Sequence, residues 1–133
     1  PIAAMRFCEL GRWSMPPEKR DPSYLFDMLD DARFIVASVQ NKSFAQYAED
    51  RGLRCIIERE LETIDEATCH ISPTLKDAHP EIPWRKIINQ CHVLAHEHGE
   101  IEHEKIWEVA TIHVPELIRF LETLVPPPPA DDC

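Results

Sequence analysis

Three of the chain's seven histidines and one of its five cysteines fall within nine residues, Cys91-His92-Val93-Leu94-Ala95-His96-Glu97-His98-Gly99. Imidazole titrates near neutrality, so a pair of histidines can take a proton from one oxygen and give one to another. RNA carries its own nucleophile, the 2′-hydroxyl, and its cleavage needs such a pair and no metal. The same residues could instead hold a metal ion. His92 and His96, four residues apart, could chelate one ion, with His98 or Cys91 as a third ligand, although no glutamate lies between them as in HExxH. A third reading is structural, because histidines on a helix flank are commonly solvated or hydrogen-bonded surface groups. Spacing alone leaves the three readings open.

These residues have to be positioned by a helix. Pro83-Trp84 starts one, and Ile87, Ile88, Cys91, Leu94 and Ala95 mark its apolar side. It ends near His98-Gly99, where glycine suits a C-terminal cap. On that helix Arg85, Asn89, His92 and His96 form one polar stripe within about 60°, at 3.6 residues per turn. Cys91 points elsewhere, toward the core.

The remaining segments also read as helices. Asp21-Pro22 resembles an N-cap followed by proline at the first helical position, opening a helix over about 22–40. Its apolar face is Leu25, Met28, Leu29, Ala32, Ile35, Val36 and Val39. Ser43 caps a short helix through Asp50. Leu53, Ile56, Ile57, Leu61, Ile64, Ala67 and Ile71 mark a helix over about 52–70. Ser72-Pro73 repeats the cap-and-proline pattern for a short helix over 73–78. The last helix runs from about His103 to Leu124, with Pro115 kinking or splitting it. No strand pattern competes, so the fold expected is all-α, an up-down bundle of four to five helices. Residues 1–20 and the proline-rich 126–133 read as tails around one helical domain at 21–125.

Composition narrows the function. A chain of 133 residues forms one domain. Its net charge of −10 repels nucleic acid and anionic lipid overall, so an RNA-binding role needs a local basic patch. Arg85 and Lys86 are the nearest candidates. The three glycines form no phosphate-cradling loop, and no cofactor is expected. Cys8, Cys55, Cys69, Cys91 and Cys133 contain no CxxC pair, which suits a reducing cytoplasm. No apolar run reaches the roughly 18 residues of a membrane span. The chain opens on Pro1, and Met15 is a plausible alternative start.

Several segments together resemble the HepT-like branch of the HEPN superfamily. They are His79-Pro80-Glu81-Ile82-Pro83-Trp84-Arg85-Lys86-Ile87, the histidine stretch, Ile106-Trp107 and Val114-Pro115-Glu116-Leu117. Asp21-Pro22-Ser23-Tyr24-Leu25 and Ser72-Pro73 fit as well, so the resemblance covers about residues 20–125. It implies an all-helical bundle that forms homodimers. It also implies a toxin with metal-independent endoribonuclease activity, encoded beside a minimal nucleotidyltransferase antitoxin that can add AMP groups to a tyrosine of the toxin. The family motif, RNxxxHxY, faces the dimer cleft. Its Arg and His serve the RNA phosphate and proton transfer.

On this chain the motif's His falls on His96. Cys91 takes the Arg position, His92 the Asn position and His98 the Tyr position. Cys91 brings no permanent positive charge to a phosphate, and His98 has no phenol to adenylylate. Arg85 is eleven residues from His96, about 16 Å along a helix, and cannot replace the missing Arg within one subunit. Two outcomes follow. Either the cleft keeps only dimer or partner binding, or His92, His96 and His98 form a different acid–base set.

Overall fold

The protein's structure, a computed structural model, describes residues 17–88 and 103–125. Every regular segment among the described residues is helical. They are α1 (Pro17–Val39), α2 (Phe44–Glu49), α3 (Arg51–His70), α4 (Pro73–Ala78), α5 from residue 84 through 88, α6 (His103–Glu108) and α7 (Val114–Leu124). A π-helical stretch, Val109–His113, joins α6 to α7. The all-α bundle expected from periodicity is the fold.

Helix α1 starts earlier than its sequence suggests. It begins at Pro17 and contains Pro22, so Asp21 is not its N-cap. Asp21 is 4% exposed and its carboxylate turns across the bundle to Ser72. A tertiary bond has overridden the local cap reading. At the other end Asn41 adopts φ 62°, a left-handed conformation that asparagine tolerates better than most residues, and the chain turns into α2.

Three other caps match the local chemistry. Ser43 and Gln46 form a reciprocal capping box at α2. The Asp50 carboxylate accepts the Leu53 N–H at 3.0 Å and opens α3. Ser72 Oγ accepts the Leu75 N–H at 3.2 Å, with Pro73 starting α4.

Helices α1 and α3 lie antiparallel. Tyr24 stacks on His70, with centroids 5.2 Å apart, and the Thr68 hydroxyl lies 3.7 Å from the Met28 sulfur. Further along, Asp31 meets Glu60. Met28, Ala32, Ile35, Ile57 and Ile64 are fully buried in this seam, and Ile106 of α6, Ala110 of the π-helical stretch and Leu121 of α7 close the core. Ile56 departs from its expected core position. It is 42% exposed, because its neighbour Ile57 occupies the inward direction about 100° away.

The last helix handles its proline with a register change. Pro115 has no N–H, and its ring would clash with the carbonyl four residues back in an ordinary helix. The preceding turn widens instead, and the Val114 N–H bonds to the Val109 carbonyl, a five-residue step.

Candidate functional site and its two flanks

His92, His96 and His98, the residues assigned to acid–base chemistry, and Cys91, the alternative metal ligand, lie outside the described residues, as does Asn89. What the structure supplies is the pair of flanks that lead into and out of them.

The leading flank is a tightly bonded turn. Pro80 and Pro83 limit the backbone on both sides of Ile82, which is 2% exposed. The Ile82 N–H bonds to the His79 carbonyl at 3.2 Å, and the Trp84 N–H to the Ile82 carbonyl at 2.8 Å. The Trp84 indole N–H then donates to the same His79 carbonyl at 3.1 Å. Trp84 and Ile87 are both buried, and Pro83, Ile87, Leu117 and Phe120 bring the start of α5 against α7. The proline–tryptophan segment thus anchors the start of α5 on the bundle.

With Trp84 and Ile87 inside, Arg85 and Lys86 are exposed, and Arg85 is the expected start of the polar stripe. Neither makes an ion pair among the described residues. Beside them the His79 ring meets the Glu81 carboxylate at 3.0 Å. A backbone N–H and the His79 ring hold the Glu81 carboxyl below its usual range.

The trailing flank is aromatic. His103 opens α6 and meets Tyr47 edge-on, with centroids 6.4 Å apart. Tyr47 packs on Trp107 at 5.3 Å, and Phe44 packs on both. Tyr47 is fully buried, and neither its hydroxyl nor the buried His103 Nδ1 has a hydrogen-bond partner among the described residues. Burial, reinforced by the Glu58 charge and opposed by Arg54, pushes the Tyr47 phenol well above its ordinary range. It stays protonated at neutral pH.

The sequence does not single out His103. A lone histidine at a helix start gives no signal of its own, and its contact with Tyr47 spans 56 positions. Among the described residues no three His, Cys, Asp or Glu side chains are grouped to hold a metal ion. The metal reading involves His92, His96, His98 and Cys91, which lie outside them. Also among the described residues, no helix is long and apolar enough to cross a membrane.

A conserved-domain model described as "Ribonuclease HepT-like" matches residues 24–124. The chain belongs to the HepT-like ribonuclease family. It is similar to a protein of Methanocaldococcus jannaschii named "Putative RNase MJ1380", with 24% identity over 105 residues covering 78% of this chain and 96% of the relative. A second protein of that organism, "Putative RNase MJ0127", is 25% identical over 109 residues, 82% of this chain and 90% of the relative. "Probable ribonuclease HepT" of Thermococcus cleftensis is 28% identical over 101 residues, 76% of this chain and 92% of the relative. No solved structure matches the chain.

Proposed function

We propose that this protein is a cytoplasmic, homodimeric HepT-like toxin that cleaves RNA slowly and without a metal, and that a minimal nucleotidyltransferase is its antitoxin. The observation that carries this reading is the family match over residues 24–124, and we assign His96, within that span, to the motif's histidine position. In the reaction one imidazole takes the 2′-hydroxyl proton as that oxygen attacks phosphorus. A second gives a proton to the departing 5′-oxygen. His96 is the central residue, with His92 and His98 as the partners available within one chain.

The rate is low because Cys91 stands where the family carries arginine. Removing one electrostatic donor from a transition state lowers kcat by about 10²–10³ in other enzymes. The test is RNA cleavage by the purified chain in the presence of a chelator, with His96→Ala alongside. Slow cleavage that disappears on substitution supports the reading. No cleavage by the wild type under any condition removes the enzyme claim and leaves a binding partner of the nucleotidyltransferase. Stoichiometric zinc, nickel or copper in elemental analysis would support the histidine metal site instead.

A further inference from the structure

We propose that the open groove between α4 and the start of α5 binds the phosphodiester backbone of single-stranded RNA through Lys76, Arg85 and Lys86. This rests on the ribonuclease reading and names a surface that would hold the substrate's backbone. The groove has a volume of about 750 Å³, and Ile82, Trp84 and Ile88 contribute to its lining. Three cations and one carboxylate, Asp77, line it, so it is locally positive on a chain whose net charge is −10.

Two features separate this patch from scattered surface charge. First, Lys76, Arg85 and Lys86 form no ion pair among the described residues, whereas Arg33 is paired with Glu122 at 3.1 Å. The Glu81 carboxylate, four residues before Arg85 in the sequence, is engaged by His79. Second, the frame is set before any ligand arrives. The prolines, the buried Ile82 and the Trp84–His79 bond fix the turn that carries Arg85 and Lys86. A ligand therefore orders the side chains, with little backbone to fix.

An open trough suits an extended polyanion better than an enclosed small molecule. Its cations reach phosphates rather than base edges, so binding is tolerant of sequence. A single strand is favoured because the 2′-hydroxyl must come into line with the departing 5′-oxygen, a geometry a paired helix resists. In the sequence, Lys86 precedes His96 by ten residues on the segment that α5 begins.

The experiment is fluorescence anisotropy of a 2′-O-methyl RNA oligonucleotide, which lacks the nucleophile, with the full chain at 50 and 200 mM salt. Three phosphate contacts on a single strand predict that wild-type affinity falls about 20-fold over this range. The Arg85→Gln/Lys86→Gln double variant should bind more weakly at 50 mM and lose only about 3-fold, as expected for one remaining contact. Lys76→Ala, on a separate helix, should give an intermediate slope, and thermal melting checks that each variant is folded. Wild-type affinity and slope in the folded double variant overturn the proposal. So does a wild-type chain that does not bind. Cleavage of natural RNA by that same wild type would keep the ribonuclease reading, and its absence would remove both. If Arg85→Glu/Lys86→Glu loses the nucleotidyltransferase in co-purification but binds RNA as wild type does, the groove takes an acidic protein surface and the RNA proposal falls.

Discussion

One residue, Ser72, gives two hydrogen bonds to the carboxylate of Asp21. Its backbone N–H donates to Oδ1 at 2.8 Å and its hydroxyl donates to Oδ2. The same hydroxyl accepts the Leu75 N–H that opens α4. A buried side chain on α1 thereby locks the α3–α4 corner, and through α4 it supports the turn that launches α5.

Asp21→Ala should destabilise the fold by about 2–3 kcal/mol. Hydrogen bonds to a charged acceptor contribute about 1.5–3 kcal/mol, and the Ser72 donors would be left buried. Asp21→Asn should cost less, because Oδ1 still accepts the Ser72 N–H. Urea denaturation of the three proteins measures the difference. A fully stable Asp21→Ala would mean that the α3–α4 corner is held by apolar packing alone.

Asp31 and Glu60 make stability fall as pH rises. Burial, then the Glu60 carboxyl, then the charges of Asp30 and Asp27, push Asp31 up to about 7 in the folded chain from an ordinary 3.8. Between those two values the folded chain holds a proton that the unfolded chain has released, so stability declines with pH across the interval and levels off above about 7. Asp31→Asn should remove that slope and stabilise the protein at pH 8 by about 1 kcal/mol, a figure reduced for solvent screening. Melting curves from pH 4 to 8 test it. A wild-type curve that rises through this window would contradict the shared proton.

Local chemistry was readable where local chemistry decides. Ser43, Ser72 and Pro73 read as helix starts and are helix starts. Pro115 was expected to disturb the last helix, and a π-turn precedes it. Asp21-Pro22 carried the same local pattern and misled, because Asp21 bonds to a residue 51 positions away that no local rule contains. Ile56 and Ile57 both fit an apolar stripe, yet one helix direction admits only one of them. The candidate site divides in the same way. The histidine spacing left catalysis, metal binding and simple surface chemistry open, and only resemblance singled out His96. The Tyr47–His103 contact joins distant segments and leaves no trace in the residues around either one.

Tyr47→Phe should stabilise the protein by about 1 kcal/mol. The ring fills the space between Phe44 and Trp107, and phenylalanine preserves that packing. The hydroxyl is buried with no partner among the described residues, and such a group carries a desolvation penalty of about 1–3 kcal/mol that its removal relieves. Thermal melting of the purified variant is the measurement. A loss of stability would show that the hydroxyl serves a partner in the folded chain.

The proposed pairing with a minimal nucleotidyltransferase predicts inhibition without adenylylation of a tyrosine. In the proposed reading His98 stands where the motif carries tyrosine, and the sequence has two tyrosines, Tyr24 and Tyr47. Tyr24 is 6% exposed and stacks on His70, while Tyr47 is 0% exposed. A nucleotidyltransferase must bring the phenol oxygen to the α-phosphate of ATP, and burial of both side chains opposes that approach. Burial also keeps Tyr47 protonated and so a poor nucleophile. Incubation with ATP and a minimal nucleotidyltransferase, followed by peptide mass spectrometry, should find no AMP on either tyrosine. His98→Tyr restores a phenol at the motif position, and it should be labelled under the same conditions. AMP on Tyr24 or Tyr47 of the wild type would mean that the bundle opens during inhibition, and it would replace regulation by binding with regulation by covalent modification.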